Sequence, residues 1–326
     1  GGDFKKVNGV DRPGIIAIKT ADGTVDPTFL GKTGSTVMGI VATATSVYVG
    51  GSFVSAGTLG SPDIGRTNLA AFDLNGGLLP WAPTATGGIV KSMVMAPGGQ
   101  KIIVAGQFTN LNGPLNRGMG ALDATTGATL PWAANTVIRN SNPSSIEGLS
   151  TDGTLIYGGG ASWAGNSNFE GRFALNPADG SIVWANDCHG DTYTTLPING
   201  ALYSTGHSHD CSWVGSYPDY FATGGKWKNT IAETTFATGT NKGPDNYGWN
   251  YNGVPSSTVL TWFPSLTMAT KSIATMPAGT VAVSGAAQAG WSLATNTSGT
   301  FLSVGDEITA QIENWDPLTV TIQPSA

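Results

Sequence analysis

The residues with the most chemical potential in this chain are concentrated between Asp187 and Cys211. This stretch, DCHGDTYTTLPINGALYSTGHSHDC, contains both cysteines and all three histidines of the 326-residue sequence. Thiolate and imidazole are preferred ligands of Zn²⁺, so the segment indicates either a metal site or, if the two thiols pair, a disulfide. A redox dithiol is disfavoured because the cysteines do not form a C-x-x-C motif.

A metal site would draw on residues from both ends of this stretch. His207, His209 and Cys211 alternate along the chain, so an extended strand would present them on one face. A cysteine held in a disulfide cannot also bind as a thiolate, and the spacings differ from those of recognised zinc motifs. The metal alternative therefore rests on His189, Asp191, His207 and His209. We expect a Cys188–Cys211 disulfide and no cofactor, with a metal ion near His207 and His209 as the alternative.

A repeated glycine signature marks the elements that must position this stretch. GGDF at residues 1–4 returns as GGSF at 50–53 and as AGQF at 105–108, with looser copies beginning at 159, 205 and 304. Four copies follow a short apolar run, namely SVYVGG, KIIVAG, TLIYGG and ALYSTG. A recurring unit of about 50 residues indicates a repeat architecture in which each unit packs on its neighbours.

A second signature follows the glycines in each unit. It is AFDLNGGLLPW at 71–81, ALDATTGATLPW at 121–132 and ALNPADGSIVW at 174–184. The Asp or Asn and the following Gly predict a tight hairpin turn, with Asp22, Asp73, Asp123 and Asp179 as turn formers. We expect Trp81, Trp132, Trp184 and, in a first copy, Phe29 to pack between sheets. Each unit then supplies four short antiparallel strands, and such sheets bury both faces when they stack around an axis as a β-propeller.

The repeat also resembles known proteins. The pattern A-x-D-x-x-T-G-x-x-x-W resembles the tryptophan-docking repeat of quinoprotein-like propellers. The fuller unit VGGSF…AAFDLNGGLLPWAP is similar to a family of secreted propeller-repeat proteins that is common in actinobacteria, with similar domains in tail proteins of phages that infect them. GHSHDCSWVGSYPD at 206–219 and WFPSL at 262–266 extend the resemblance, which covers roughly residues 1–305. It implies a fold and an extracellular setting but no activity, because propellers support many functions.

The predicted fold class is therefore all-β, a single β-propeller domain over residues 1–326 with four-stranded antiparallel blades. Six blades are expected, and seven are the alternative because the interval between Gly206 and Gly305 is long. We expect a long aromatic-rich insertion at about 212–252. Closing strands at about 300–326 would complete the blade that is interrupted at Gly1. The chain is then a portion of a longer protein.

The predicted insertion carries the candidate ligand-binding residues. Its aromatic side chains lie among Gly, Asn, Ser and Asp, a mixture suited to contact with a sugar or a protein surface. The candidates are Trp213, Tyr217, Tyr220, Trp227, Tyr247, Trp249 and Tyr251. The alternative is that these aromatics bury one another in a small core of the loop itself.

Composition narrows the class of function. Charged residues make up 11% of the chain, against about 25% in an ordinary domain. The net charge is −6 without any basic run, so nucleic acid is not an expected partner. No apolar stretch is long enough to insert in a membrane. We expect a non-catalytic extracellular module, on a cell surface or a phage tail, that binds a surface glycan or protein receptor.

Two other functions stay open at this point. One is an exported enzyme acting on polysaccharide, with carboxylates near the insertion as candidates: Asp187, Asp191, Asp210, Asp219, Glu233 and Asp245. The other is a purely architectural virion or cell-surface protein whose partners are neighbouring structural subunits. No catalytic residue can be assigned, because no nucleophile elbow, Walker loop or dinucleotide fingerprint occurs.

Overall fold

The computed structural model describes residues 1–163, 167–216, 228–242, 251–264, 270–275, 281–285, 307–310 and 318–321. These ranges fold as antiparallel strands with two short 3-10 turns, Ala133–Thr136 and Ser212–Val214, which confirms the all-β prediction. Within them, no helix has the length and apolar character needed to span a membrane.

The strands, in chain order, are β1 (Lys6–Val7), β2 (Val10–Asp11), β3 (Gly31–Thr33), β4 (Thr36–Ala42), β5 (Ser46–Ser52), β6 (Ser55–Thr58), β7 (Ile64–Gly65), β8 (Leu69–Asp73), β9 (Ala85–Thr86), β10 (Val90–Met95), β11 (Lys101–Gly106), β12 (Asn110–Leu111), β13 (Met119–Asp123), β14 (Thr129–Leu130), β15 (Ser145–Thr151), β16 (Ile156–Ala161), β17 (Gly171–Leu175), β18 (Ile182–Asp187), β19 (Thr192–Ile198), β20 (Ala201–Ser208), β21 (Lys228–Thr234), β22 (Gly239–Thr240), β23 (Pro255–Ser256), β24 (Val259–Pro264), β25 (Thr270–Thr275), β26 (Val281–Gly285), β27 (Glu307–Ala310) and β28 (Leu318–Thr321).

Four main sheets follow one another along the chain. Sheet I contains β4, β5 and β8, and a single bridge from Phe72 to Leu78 takes the place of a fourth strand. Sheets II, III and IV are four-stranded, with the orders β10-β11-β13-β14, β15-β16-β17-β18 and β19-β20-β21-β24. Among the described residues, the predicted four-stranded antiparallel unit is therefore present three times. Smaller pairings join β1 with β2, β9 with β12, β22 with β23, β25 with β26, and β27 with β28, and β3-β6-β7 form a small sheet.

The sheets stack through their first strands, which we call the leading strands: β4, β10, β15, β19 and β25. Each leading strand after β4 contacts both the leading strand and the second strand of the sheet before it. Apolar clusters fill these junctions, for example Tyr48 and Leu69 of sheet I against Val90 and Ile102 of sheet II. The core therefore lies between successive sheets, as a repeat architecture requires.

Every leading strand contains a β-bulge at the same place. The register shifts at residues 38, 91, 147, 193 and 271, each time near the end of the second strand where the glycine signature lies. A bulge inserts one extra residue and redirects its side chain. We call Met38, Lys91, Glu147 and Tyr193 the bulge row.

The second glycine of the signature makes room for this bulge. A Cβ atom at Gly106 would collide with the carbonyl oxygen of Ile89, two residues before the bulge residue Lys91. Sheets I and IV repeat this collision between Gly51 and Thr36 and between Gly206 and Asp191. The repeated glycine is therefore a packing requirement of the bulged strand beside it.

The tryptophans of the second signature join one sheet to the next. Trp81, Trp132 and Trp184 are 4%, 5% and 0% exposed, which confirms the prediction that they are buried. The indole N–H of Trp81 donates to the Asp123 carbonyl in the turn of sheet II, at 3.0 Å. The N–H of Trp184 donates to the Thr235 carbonyl after β21 at the same distance.

The hairpin turns that receive these rings have the predicted chemistry. Asp123 accepts hydrogen bonds from the backbone N–H groups of Thr125 and Thr126, and Gly127 has a φ of 77°. Gly180 in the next turn has a φ of 74°, and any side chain there would collide with the ring of Trp132. The same residue type therefore allows both the turn conformation and the docking of the ring.

Residues 209–258 are organised differently from the prediction of one insertion over about 212–252. β21 lies in this range and pairs with both β20 and β24 inside sheet IV. The insertion is therefore two connections, residues 209–227 and 235–258, on either side of a central strand. The segment WFP at 262–264 belongs to β24, the fourth strand of the sheet, as expected.

Candidate functional site

The two cysteines form a disulfide across the junction of sheets III and IV, as predicted. Cys188 follows β18, Cys211 follows β20, and their Cα atoms are 4.3 Å apart. Both side chains are fully buried, in contact with Ile231 of β21. The bond closes the chain at the point where the connection 209–227 leaves the sheet.

A buried ion pair lies beside the disulfide. Arg172 on β17 and Glu233 on β21 are both 0% exposed, and Arg172 Nε donates to Glu233 Oε1 at 3.0 Å. A second guanidinium nitrogen, Nη2, donates to Glu233 Oε2 at 3.3 Å, which makes the contact bidentate. Nη1 donates to Ser208 Oγ, and Nη2 lies 3.3 Å from Cys188 Sγ. Such a pair is stable in the interior only because nearly every polar atom has a partner.

The carboxylate of Glu233 has further donors. Asn186 on β18 donates to Glu233 Oε2, and Ser257 Oγ donates to the same oxygen at 2.9 Å. The backbone N–H of Ser257 donates to Asn186 Oδ1 at 3.0 Å. These four residues, Arg172, Asn186, Glu233 and Ser257, form what we call the polar junction. It connects sheet III, sheet IV and the connection 235–258 in one network.

The two charged residues of the polar junction occupy positions that are apolar in sheets I and II. Arg172 lies opposite Gly159, and the equivalent residues are Leu69 in sheet I and Met119 in sheet II. Glu233 lies opposite Leu202, where sheets I and II have Phe72 and Leu122. Sequence reasoning did not single out Arg172, Asn186 or Ser257. Aligning NLAAFD, GMGALD and GRFALN in strand register would have revealed the arginine in an apolar column.

A second polar group lies at the start of sheet IV. The hydroxyl of Tyr193 donates to Asp191 Oδ2 at 2.8 Å and lies 3.2 Å from His207 Nδ1. Burial raises the pKa of Tyr193 far above its ordinary value, and the negative charge of Asp191 raises it further. The phenol therefore stays neutral and acts as a hydrogen-bond donor, which suits ligand binding better than nucleophilic chemistry.

The other predicted metal ligands lie close to this group. His189 Nδ1 is 3.9 Å from Asp210 Oδ2, and the rings of His189 and His209 have centroids 5.9 Å apart. The structure thus brings the four predicted residues into one region. Across the described ranges, however, no three His, Cys, Asp or Glu side chains are arranged to hold a metal ion. Hydrogen bonding is the chemistry that this arrangement supports.

The candidate aromatic ligands are only partly placed. Tyr251 is 3% exposed, and its ring packs edge-on against Phe169 with centroids 5.3 Å apart. Tyr251 is therefore part of the apolar core beside sheet III and not an exposed ligand contact. Trp213 lies on the 3-10 turn directly after Cys211. Its side chain lies outside the described residues, together with Tyr217, Tyr220, Trp227, Tyr247 and Trp249.

Both long connections are anchored to the sheets at their ends. The backbone N–H of Ser216 returns to the Cys211 carbonyl at 3.0 Å, which closes a compact turn at the root of the connection 209–227. In the connection 235–258, the Asn241 side chain donates to the Ala185 carbonyl of β18 at 2.7 Å. β23 lies against β18, so this connection covers the outer strand of sheet III, an edge that would otherwise be open to pairing.

No protein-family model matches the chain, and no curated protein matches it. Similar solved structures include the computationally designed Ika4 protein, with 11% identity and a TM-score of 0.35 over 53% of this chain and 86% of that one. A chain from the mitotic checkpoint complex has 10% identity and a TM-score of 0.45 over 82% and 77%. The designed Ika8 protein has 11% identity and a TM-score of 0.38 over 77% and 71%. Similarities of this size establish neither fold nor function.

Proposed function

We propose that the chain forms a six-bladed β-propeller. Sheets I to IV supply four blades. The pair β25–β26 supplies the start of a fifth, because it repeats the bulged pairing of the other leading strands. The two ends of the chain share the sixth, and a seventh blade is the alternative. Circular closure of this kind leaves no unpaired outer edge between the first and last sheets.

The function that fits this scaffold is extracellular binding without catalysis, on a cell surface or a phage tail. The observation that carries it is the anchoring of both long connections to the polar junction and to the Cys188–Cys211 disulfide. Long connections on a rigid scaffold are typical of recognition surfaces, and a fixed root lowers the entropy lost on binding. The aromatic and hydroxyl-rich composition of these connections suits a surface glycan or a protein receptor.

Binding is favoured over polysaccharide cleavage by the roles of the candidate carboxylates. Glu233 is fully buried and engaged by Arg172, and Asp191 accepts the hydroxyl of Tyr193. Asp187 and Asp210 are also buried, and each accepts a backbone N–H. Asp219 and Asp245 lie outside the described residues. Secretion is supported by the disulfide, since such bonds persist mainly in oxidising compartments.

A glycan array combined with binding to whole bacterial cells would test this function. We expect the protein to bind specific glycans or cells and to release no reducing sugar from them. The double variant Cys188→Ala/Cys211→Ala should remain folded but bind at least about tenfold more weakly, because the root of the connection 209–227 is no longer fixed. If the protein released sugar, and one Asp or Glu substitution abolished that release, the chain would instead be a polysaccharide-cleaving enzyme.

A further inference from the structure

We infer that the bulge row forms a binding site for a neutral sugar ring. Its residues come from four different sheets, yet each occupies the same register position at the start of a leading strand. Since successive leading strands are in contact, the redirected side chains lie side by side along one edge of the stacked sheets. Lys271 of β25 has the corresponding backbone position.

The side chains of the bulge row interact from sheet to sheet. Lys91 Nζ on β10 lies 2.6 Å from Glu147 Oε1 on β15, and the same ammonium donates to Ser145 Oγ at 3.3 Å. The bulges of β15 and β19 also meet, since a Cβ atom at Gly148, next to Glu147, would lie 2.7 Å from the carbonyl oxygen of Tyr193. Tyr193 in turn contacts His207 on β20. A continuous polar row therefore runs from sheet II to sheet IV.

This row is accessible from solvent. The side chains of Lys91 and Glu147 are 22% and 14% exposed, and Met38 is 48% exposed. His207, which contacts Tyr193, is 17% exposed. Because most of each polar side chain is buried, its polar atoms are held in place, and the exposed remainder leaves one face open. The row therefore presents an ordered surface rather than solvated, freely rotating side chains.

The chemistry of the row matches vicinal hydroxyl groups. An ammonium donor, a carboxylate acceptor and a phenol oxygen that can accept follow one another, with the imidazole of His207 beside them, and each sugar hydroxyl can both donate and accept. The rings of Tyr193 and His207, with centroids 6.0 Å apart, add apolar faces for sugar C–H groups. Glu147 neutralises the charge of Lys91, and the carboxylate of Asp191 lies 2.8 Å from the Tyr193 hydroxyl, so no free positive charge in the row favours a phosphate or an acidic sugar. The arrangement of donors and acceptors therefore suits a neutral sugar better than an anion.

The inference rests on the proposed binding function and names its ligand and its place. Gly206 on β20 pairs with Thr192 beside the bulge at Tyr193, and the connection 209–227 begins three residues later. The bulge row and the disulfide-anchored connection therefore share one edge of sheet IV.

Ligand-observed NMR with free methyl glycosides of glucose, galactose, mannose and N-acetylglucosamine would test the site. We expect at least one glycoside to bind, and Lys91→Met and Tyr193→Phe each to weaken it about tenfold, as the loss of one hydrogen bond of about 1.4 kcal/mol predicts. Lys32→Met is the matched control, because Lys32 is 19% exposed and also holds a carboxylate, Asp63, at 2.7 Å. Thermal unfolding of each variant would confirm that it remains folded.

The outcomes separate this inference from the proposed function. Glycoside binding that Lys91→Met and Tyr193→Phe leave unchanged, or the absence of glycoside binding while glycan-array binding persists, overturns the bulge-row site but leaves the binding module. Stronger binding of glucuronic acid or inorganic phosphate than of any neutral glycoside overturns the ligand class. The absence of binding to both glycosides and arrays overturns the site together with a glycan-binding function.

Discussion

Arg172 and Glu233 are two charges in places where sheets I and II have apolar side chains. Their bidentate contact and the donors from Asn186 and Ser257 offset the cost of removing both charges from water. Breaking such a pair is costly because one charge is left buried without compensation, whereas replacing both charges with apolar groups is often close to neutral. The equivalent positions of sheets I and II show which apolar residues fit in place of the two charges.

We expect Arg172→Met to lower the free energy of unfolding by about 3–5 kcal/mol, because Glu233 stays buried without its cation. The double variant Arg172→Met/Glu233→Leu, which copies Met119 and Leu122 of sheet II, should regain most of that loss. Urea unfolding followed by circular dichroism would measure both values. If the double variant lost as much unfolding free energy as Arg172→Met, the apolar pair would not replace the ion pair, and this prediction would be wrong.

Two tyrosines are expected to resist ionisation in alkali. Burial raises the pKa of Tyr157, and its hydrogen bond to Asp152 raises it further; burial and Asp191 do the same for Tyr193. Since both folded pKa values exceed the unfolded value of about 10, the free energy of unfolding should fall as the pH rises above about 10. Tyrosinate absorbance should therefore show that Tyr157 and Tyr193 ionise only as the protein unfolds. In the double variant Tyr157→Phe/Tyr193→Phe the absorbance change at unfolding should be smaller by two tyrosines.

At the scale of the element, the leading strand and its glycine partner form one unit. The bulge in the leading strand needs space, and the second glycine of the paired strand supplies it. The bulge residue and its glycine, such as Lys91 and Gly106, are far apart along the chain, but the antiparallel pairing fixes their register. A side chain at the glycine would therefore disturb the bulge as well as its own strand.

Gly106→Ala should lower the free energy of unfolding by about 1–3 kcal/mol, because the new methyl group forces the Ile89 carbonyl to move. Gly65→Ala is the matched control. Gly65 also lies in a strand, has an ordinary φ, and has no atom within 4 Å of the position that a methyl group would take. We expect the control to change stability by less than about 0.5 kcal/mol. Similar losses for the two variants would contradict this account of the glycine signature.

The repeat elements follow from local patterns, and most of them could be predicted. Glycine strands, Asp-Gly turns and the docking tryptophans each depend on residues close together in the chain. The polar junction depends on Arg172 and Glu233, 61 positions apart, whose meeting is decided by how sheets III and IV pack. β26 was also missed, because VAVSG ends in a single glycine rather than the paired signature. The division of residues 209–258 by β21 likewise required the pairing partners.

At the scale of the whole molecule, stability depends on the joints between sheets. Each tryptophan is buried against the turn of the following sheet, so we expect Trp81→Ala, Trp132→Ala and Trp184→Ala each to cost about 3–5 kcal/mol of unfolding free energy. Trp163→Ala is the control, since Trp163 is 62% exposed, and it should change stability by less than about 0.5 kcal/mol. Guanidinium unfolding would measure all four. If one of these three variants lost as little unfolding free energy as Trp163→Ala, the contact between that tryptophan and the next turn would not be a source of stability.

The docking joints also have a direction, since Trp81 and Trp184 each reach forward along the chain to a turn that their own unit does not contain. A gene segment one repeat long, wherever it is cut, carries one ring and one receiving turn. Its tandem duplication would create a new sheet with both halves of a joint already in place. The head-to-tail contact would thus allow the number of repeats to change without a new interface. The polar junction, by contrast, depends on residues specific to sheets III and IV, and the other described sheets do not repeat it.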